Sequence, residues 1–224
     1  MQPLSIILGK KSNNSSYEIQ LEQLPHLLVS FYEKEQWHRF GNQFIQQLVT
    51  QISSVEVKLF HAVRFSTTVT DSAFVTPLYD ATNDHLQMSK QLFVQQFIAA
   101  VDETAQKDLK QMSSASHRAP VRVVLIVDDL LDLLLSIRKS TAQKLIRLLY
   151  AGSGMGFCII MASQHSRFHL VRQLQPWGKK NTKMIPPLRL AELVITADDL
   201  YFFKLADDIS HERFYDLKEG EKSS

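Results

Sequence analysis

Two runs of this chain, "VRVVLIVD" (121–128) and "FCIIMAS" (157–163), are apolar at nearly every position instead of at every second one. A strand wetted on one side alternates apolar with polar residues, so unbroken runs of this length mark strands buried on both faces. That requires a parallel sheet with cover on each side. Further β-branched runs support it: "HLLVS" (26–30), "VEVKLFHAV" (55–63) and "LAELVIT" (190–196), with "SIIL" and "YEIQL" as an N-terminal hairpin. Between them, Trp37, Phe40, Phe44, Leu48 and Ile52 fall at helical spacing, as do Phe93, Phe97 and Val101. Asp84 is a candidate N-cap for the second helix. A third helix is predicted over Ser140–Tyr150, with Leu145, Leu148 and Leu149 inward and Lys144 and Arg147 outward. Strands alternating with helices define an α/β fold with a three-layer parallel sheet. Polar breaks at 10–16, 82–85, 113–120, 151–156 and 176–187 have the length of loops within one domain, residues 1–224.

With 224 residues, 45% of them apolar, the chain can bury a sizeable core. Its one cysteine, Cys158, lies in an apolar run and excludes an internal disulfide, which fits a reducing compartment. No apolar stretch approaches the ~20 residues that span a bilayer, and no basic segment precedes the apolar part of the N-terminus. Charge is segregated. Residues 1–132 carry 11 Lys/Arg and 14 Asp/Glu, residues 133–191 carry 10 and none, and residues 192–224 carry 4 and 9. The acid-free block is either a solvated face paired with the acidic tail or a contact for a polyanion or a neighbouring subunit, with Arg167, Arg172, Lys179, Lys180 and Lys183 as its candidate residues.

"VRVVLIVDDLLDLL" ends its strand in two aspartates, an arrangement that often holds magnesium beside a nucleotide. In nucleotide-binding sheets the first parallel strand then runs into a glycine-rich loop whose N–H groups and following helix N-terminus hold the phosphates. Here that segment has no glycine before Gly41. It offers Phe31, Tyr32, Glu33, Lys34, Glu35, Gln36 and Trp37. Such side chains block backbone approach to a triphosphate, and Glu33 and Glu35 place carboxylates where the helix dipole would favour phosphate. "LGKKS" (8–12) lacks the earlier loop glycine, and "GSGMG" (152–156) follows a helix and enters a strand, the reverse of the order needed. The latter is a helix C-cap and tight turn.

The order of these features resembles FtsK/SpoIIIE-type motor domains. "PLSIILGKK…YEIQLEQLPHLLVS" looks like their opening hairpin and the strand that leads to the P-loop; "VVLIVDDLLDLL" resembles their Walker B strand, and "AGSGMGFCIIMASQHS" their next strand, which ends in Ala-Thr/Ser-Gln. The resemblance implies a RecA/P-loop NTPase-like sheet. It sets Asp128 at the magnesium-orienting position, Asp129 where a glutamate usually activates water, and Gln164 at a sensor position. The Walker A loop is replaced and the position of its lysine falls near Trp37, so neither ATP nor magnesium binding is expected and the chain is expected not to be an enzyme. Degenerate domains of this length resemble the last ATPase-like domain of the EssC family, the motors of type VII secretion. That implies a cytoplasmic module at the inner face of a membrane, within a larger anchored protein, that docks small secreted proteins and contacts other motor domains.

Other readings stay open. The basic block suits a DNA translocase or conjugative coupling subunit, and a neighbouring subunit could complete an ATPase. Phe31, Tyr32, Trp37 and Phe40 fill the volume of a lost nucleotide as core, or else Phe31 and Tyr32, where exposed, are candidates for an apolar docking patch. His26 and His38 fit turn or half-buried positions better than a metal site. His165 and His169, four apart, lack a third ligand nearby in sequence.

Overall fold

The computed structural model describes residues 4–11, 14–24, 26–55, 57–64, 74–79, 85–111, 120–151, 156–164, 170, 172, 174, 190–196, 200–204 and 212–215. Two strands, β1 (Ser5–Lys10) and β2 (Ser16–Gln20), form the expected hairpin. Then follow β3 (Leu27–Phe31), α1 (Lys34–Val55), β4 (Lys58–Ala62), β5 (Val75–Pro77), α2 (Lys90–Gln111), β6 (Val123–Val127), α3 (Leu130–Leu135), α4 (Lys139–Ala151), β7 (Phe157–Ser163) and β8 (Ala191–Ile195). The chain returns in β9 (Leu200–Lys204) and β10 (Glu212–Tyr215). One ten-stranded sheet results, in the order β2-β1-β10-β9-β8-β3-β7-β6-β4-β5.

From β8 to β5 neighbouring strands are parallel; β9, β10, β1 and β2 extend the sheet antiparallel. Every residue of β3 and β6 is buried, as strands covered on both faces must be. Alternate residues feed two cores. Leu27, Val29, Val124, Ile126 and Ile160 pack under α1 through Trp37, Phe40, Phe44, Leu48 and Ile52. Leu28, Val123, Leu125, Phe157 and Ile159 face α2, α3 and α4. The second layer is pinned by edge-to-face rings, with Phe60 5.9 Å from Phe93 and 5.7 Å from Phe97. Each such buried phenylalanine contributes roughly 1.5–3 kcal/mol by leaving water.

Three expectations are corrected. The run "VEVKLFHAV" is not all strand, because α1 extends to Val55 and β4 starts at Lys58. The second helix begins at Lys90, where the Ser89 hydroxyl accepts from the Leu92 N–H at 3.2 Å and acts as the cap; Asp84 lies outside the described residues. The acidic C-terminal stretch supplies β9 and β10 in addition to charge. Gly156, the one described residue of "GSGMG", leads into β7 with a φ of 75°, the left-handed conformation glycine tolerates best.

Candidate functional site

The parallel registers bring three strand ends to one level. Ser30 of β3 pairs with Ser163 of β7, and Met161 of β7 with Val127 of β6. The residues that follow, Phe31 to Trp37, Gln164, and Asp128 and Asp129, therefore meet at the carboxyl edge of the sheet, where open α/β folds place their ligands. A cleft of about 570 Å³ opens there. Lys34, Trp37 and His38 of α1 form one wall, Leu130, Leu131 and Leu135 of α3 the other, and Asp128, Met161, Ala162 and Gln164 line it from the strand ends.

The β3–α1 turn is closed by its own side chains. Gln36 Oε1 accepts from the N–H groups of Tyr32 at 3.1 Å and Glu33 at 3.0 Å, while its Nε2 donates to the Thr196 carbonyl beyond β8 at 2.7 Å. Glutamine at the third position of a helix, reaching back to the N–H of the capping residue, is half of a capping box. The next residue, Trp37, is buried and stacks on Phe31, with ring centres 6.3 Å apart and planes at 16°. Its indole N–H donates to Asp128 Oδ1 at 2.5 Å. The other carboxylate oxygen accepts from the Arg64 N–H at 2.6 Å. Burial pushes the Asp128 carboxyl above its ordinary range, and the Trp37 and Arg64 N–H groups work against that shift.

The other predicted residues take varied places. Phe31 and Phe40 are core, as the volume-filling reading expects, whereas Tyr32 is 69% exposed. Glu33, Lys34 and Glu35 are exposed at the start of α1. Asp129 caps α3, its Oδ1 accepting from the Asp132 N–H at 2.9 Å. Gln164 is exposed and its Nε2 reaches the Tyr32 carbonyl at 3.5 Å. His26 is fully buried and His38 half-buried. Arg172 is exposed on a helical turn. Arg167, Lys179, Lys180, Lys183, His165 and His169 lie outside the described residues.

Sequence reasoning missed the groups that organise the far wall. Asp132 binds Lys90 Nζ at 2.5 Å and the Arg64 guanidinium at 3.2 Å. Partial burial would raise its carboxyl, but Lys90 and Arg64 outweigh that and hold it below the usual range. Arg64 also lies 5.4 Å over the Tyr79 ring. These partners are far apart in the chain and carried no spacing signal. Gln36 did carry one, as the third helical residue after a turn.

Topology and site define a class of fold: a three-layer α/β domain of the RecA/P-loop NTPase-like kind, whose β3–α1 turn and Asp128 are tied together by side chains. Solved structures share the fold. The cytoplasmic domain of EssC matches with a TM-score of 0.63 and 13% identity over 97% of this chain and 44% of that one. ATPases 2 and 3 of Thermomonospora curvata EccC, in complex with a signal sequence peptide, match at 0.63 and 15%, over 97% of this chain and 41% of that one. The pCW3 conjugation coupling protein TcpA with ATPγS matches at 0.56 and 16%, over 96% and 66%. The chain thus spans less than half the length of the two secretion proteins. By sequence it matches no family model and no curated protein.

Proposed function

We propose that this chain is a non-catalytic ATPase-like module of a secretion motor, which docks or selects protein substrates instead of hydrolysing nucleotide. One observation carries the reading: the groups that would hold a triphosphate and its magnesium already have partners within the chain. The Tyr32 and Glu33 N–H groups bind the Gln36 carboxamide, and both Asp128 oxygens bind N–H donors. Phosphoryl transfer rests on a phosphate cradle, a lysine and a metal-bound carboxylate acting together. In this chain Trp37 stands near the lysine's place and Asp129 caps a helix, so the residues present do not fit a nucleotide with magnesium. The likeness to EssC and EccC supports a motor setting, cytoplasmic and beside a membrane, with other motor domains and exported proteins as partners. Among the described residues no helix is long and apolar enough to cross a membrane.

Isothermal titration of the domain with ATP and magnesium tests this. The expected result is no saturable heat at physiological nucleotide; saturable binding abolished by Asp128→Asn overturns it. The likeness to TcpA favours a second reading, DNA contact through the basic block. That reading expects affinity for a DNA duplex falling steeply with salt, about 0.9 log units per log unit of salt for each phosphate neutralised. Absence of binding at low salt removes it.

A further inference from the structure

The outside of the layer formed by α2, α3 and α4 is unevenly charged. Residues 133–191 carry 10 Lys/Arg and no carboxylate, and α4 sets some of these cations on one side. Its buried face is Thr141, Ala142, Leu145, Ile146 and Leu149. Ser140, Lys144 and Arg147, spaced i, i+4 and i+7, form the exposed face, and Arg138 and Lys139 are exposed at its start. None of these four cations makes an ion pair among the described residues. Carboxylates of the adjoining helices do not offset them. Asp132 holds Lys90 and Arg64, and Glu103 holds Lys58 and Lys107. Asp102 is exposed but lies about 15 Å further along α2 than Leu92.

Two leucines border the charges. Hydrogen bonds tie the start of α2 to the corner between α3 and α4: Lys90 Nζ donates to the Ser136 hydroxyl at 3.2 Å, and the Arg138 N–H to Gln91 Oε1 at 2.8 Å. Leu92, next to Gln91, and Leu135, next to Ser136, therefore stand at the same corner as Arg138 and Lys139, 46% and 74% exposed. This surface is the convex outside of packed helices and encloses nothing, so it does not suit a short peptide. A nucleic acid duplex would satisfy the cations and leave both leucines wet. An anionic bilayer satisfies both. It supplies negative charge wherever it is touched, long basic side chains reach its phosphates from different heights, and exposed leucines enter its interface.

We propose that the outer face of α4 and the adjoining α3–α4 corner rest on an anionic membrane surface, with Arg138, Lys139, Lys144 and Arg147 against lipid phosphates and Leu92 and Leu135 in the headgroup layer. The inference stands apart from the docking reading and goes beyond it. The test is co-sedimentation of the whole chain with vesicles of phosphatidylcholine containing about 30% phosphatidylglycerol, and with vesicles of phosphatidylcholine alone. Binding is expected to the first only, and to weaken as salt screens the charges. Lys144→Ala should lower the partition coefficient about fivefold, and Lys144→Ala with Arg147→Ala about thirtyfold. Lys10→Ala, an equal loss of charge at the other end of the sheet, should leave it unchanged, and all variants should keep the parent melting temperature. A solvent-sensitive dye on Leu135→Cys, which labels selectively because Cys158 is buried, should shift to the blue on the anionic vesicles. No binding at low salt, equal binding to neutral vesicles, or a loss on Lys10→Ala as large as on Lys144→Ala overturns the proposal. A dye that stays unshifted while a DNA duplex competes for the same cations assigns the face to nucleic acid instead.

Discussion

Trp37 combines two jobs that are usually separate: its ring fills the core between Phe31 and Phe40, and its N–H serves a partly buried carboxylate. Trp37→Phe keeps most of the ring and removes the donor. At neutral pH the loss should be roughly 1–3 kcal/mol, the cost of weakening the support of a desolvated charge. The sign of its pH dependence follows from Asp128. Its folded carboxyl lies above the unfolded value of 3.8, so the folded state takes the proton first as pH falls. Removing the indole raises that carboxyl further, so the penalty of Trp37→Phe should shrink between neutral and acidic pH. Urea unfolding of parent and variant at matched pH measures this, and an unchanging difference would contradict it. Gln36→Ala removes three hydrogen bonds at once and should cost roughly 2–3 kcal/mol, read in the same way. The place of Trp37 in the apolar stripe of the first helix was legible from the sequence; its partner was not, because Asp128 is 91 residues away.

At the scale of elements, the central strands and the long helices could be read because burial on both faces and helical spacing leave patterns within one segment. Strands β9 and β10 could not. Their acidic surroundings read as a tail, and only pairing with β8 and β1 gives them a place. Where it meets the hairpin, Lys10 opposite Tyr215 is the one register pair between β1 and β10 among the described residues. Two glutamines of α1 serve the rest of β1. Gln47 accepts from the Ile7 N–H at 2.8 Å and donates to the Ile7 carbonyl at 2.9 Å; Gln51 treats Ser5 likewise, at 3.2 and 2.7 Å. Spaced four apart on the helix and two apart on the strand, the carboxamides stand in for a neighbouring strand's peptide groups. Gln51→Leu should therefore cost about 1–2 kcal/mol by stranding the Ser5 backbone, and lower the melting temperature by about 2–8 °C. Hydrogen exchange at the Ser5 amide should rise more than in the sheet centre. Uniform loss of protection across the sheet would instead indicate a global effect.

Across the whole molecule, each core layer holds one buried histidine among the described residues. His26 lies against Phe157 in the layer of α2 to α4, with its Nδ1 accepting from the Ile159 N–H at 3.2 Å. Strand alternation places His61 in the α1 layer, since its neighbours Phe60 and Ala62 face the other way. Neither ring nitrogen of His61 has a hydrogen-bond partner among the described residues. Burial lowers both imidazoles from 6.5 to about 4, with the Leu148 backbone partly offsetting it at His26. As pH falls through 6.5 the unfolded chain gains protons that the folded protein refuses until about pH 4. The contribution to stability is thus complete above 6.5 and is lost through that window. By about pH 5 the loss should be roughly 2 kcal/mol for each histidine. Both layers share one sheet, so acid should weaken them in a single transition and not peel one from the other. His61→Leu separates the terms: it removes an unpartnered polar ring from an apolar site, so stability at neutral pH should hold or rise. The drop between pH 7 and pH 5 should fall by about half, as urea midpoints at the two values would report. An undiminished drop in His61→Leu would place the acid sensitivity elsewhere.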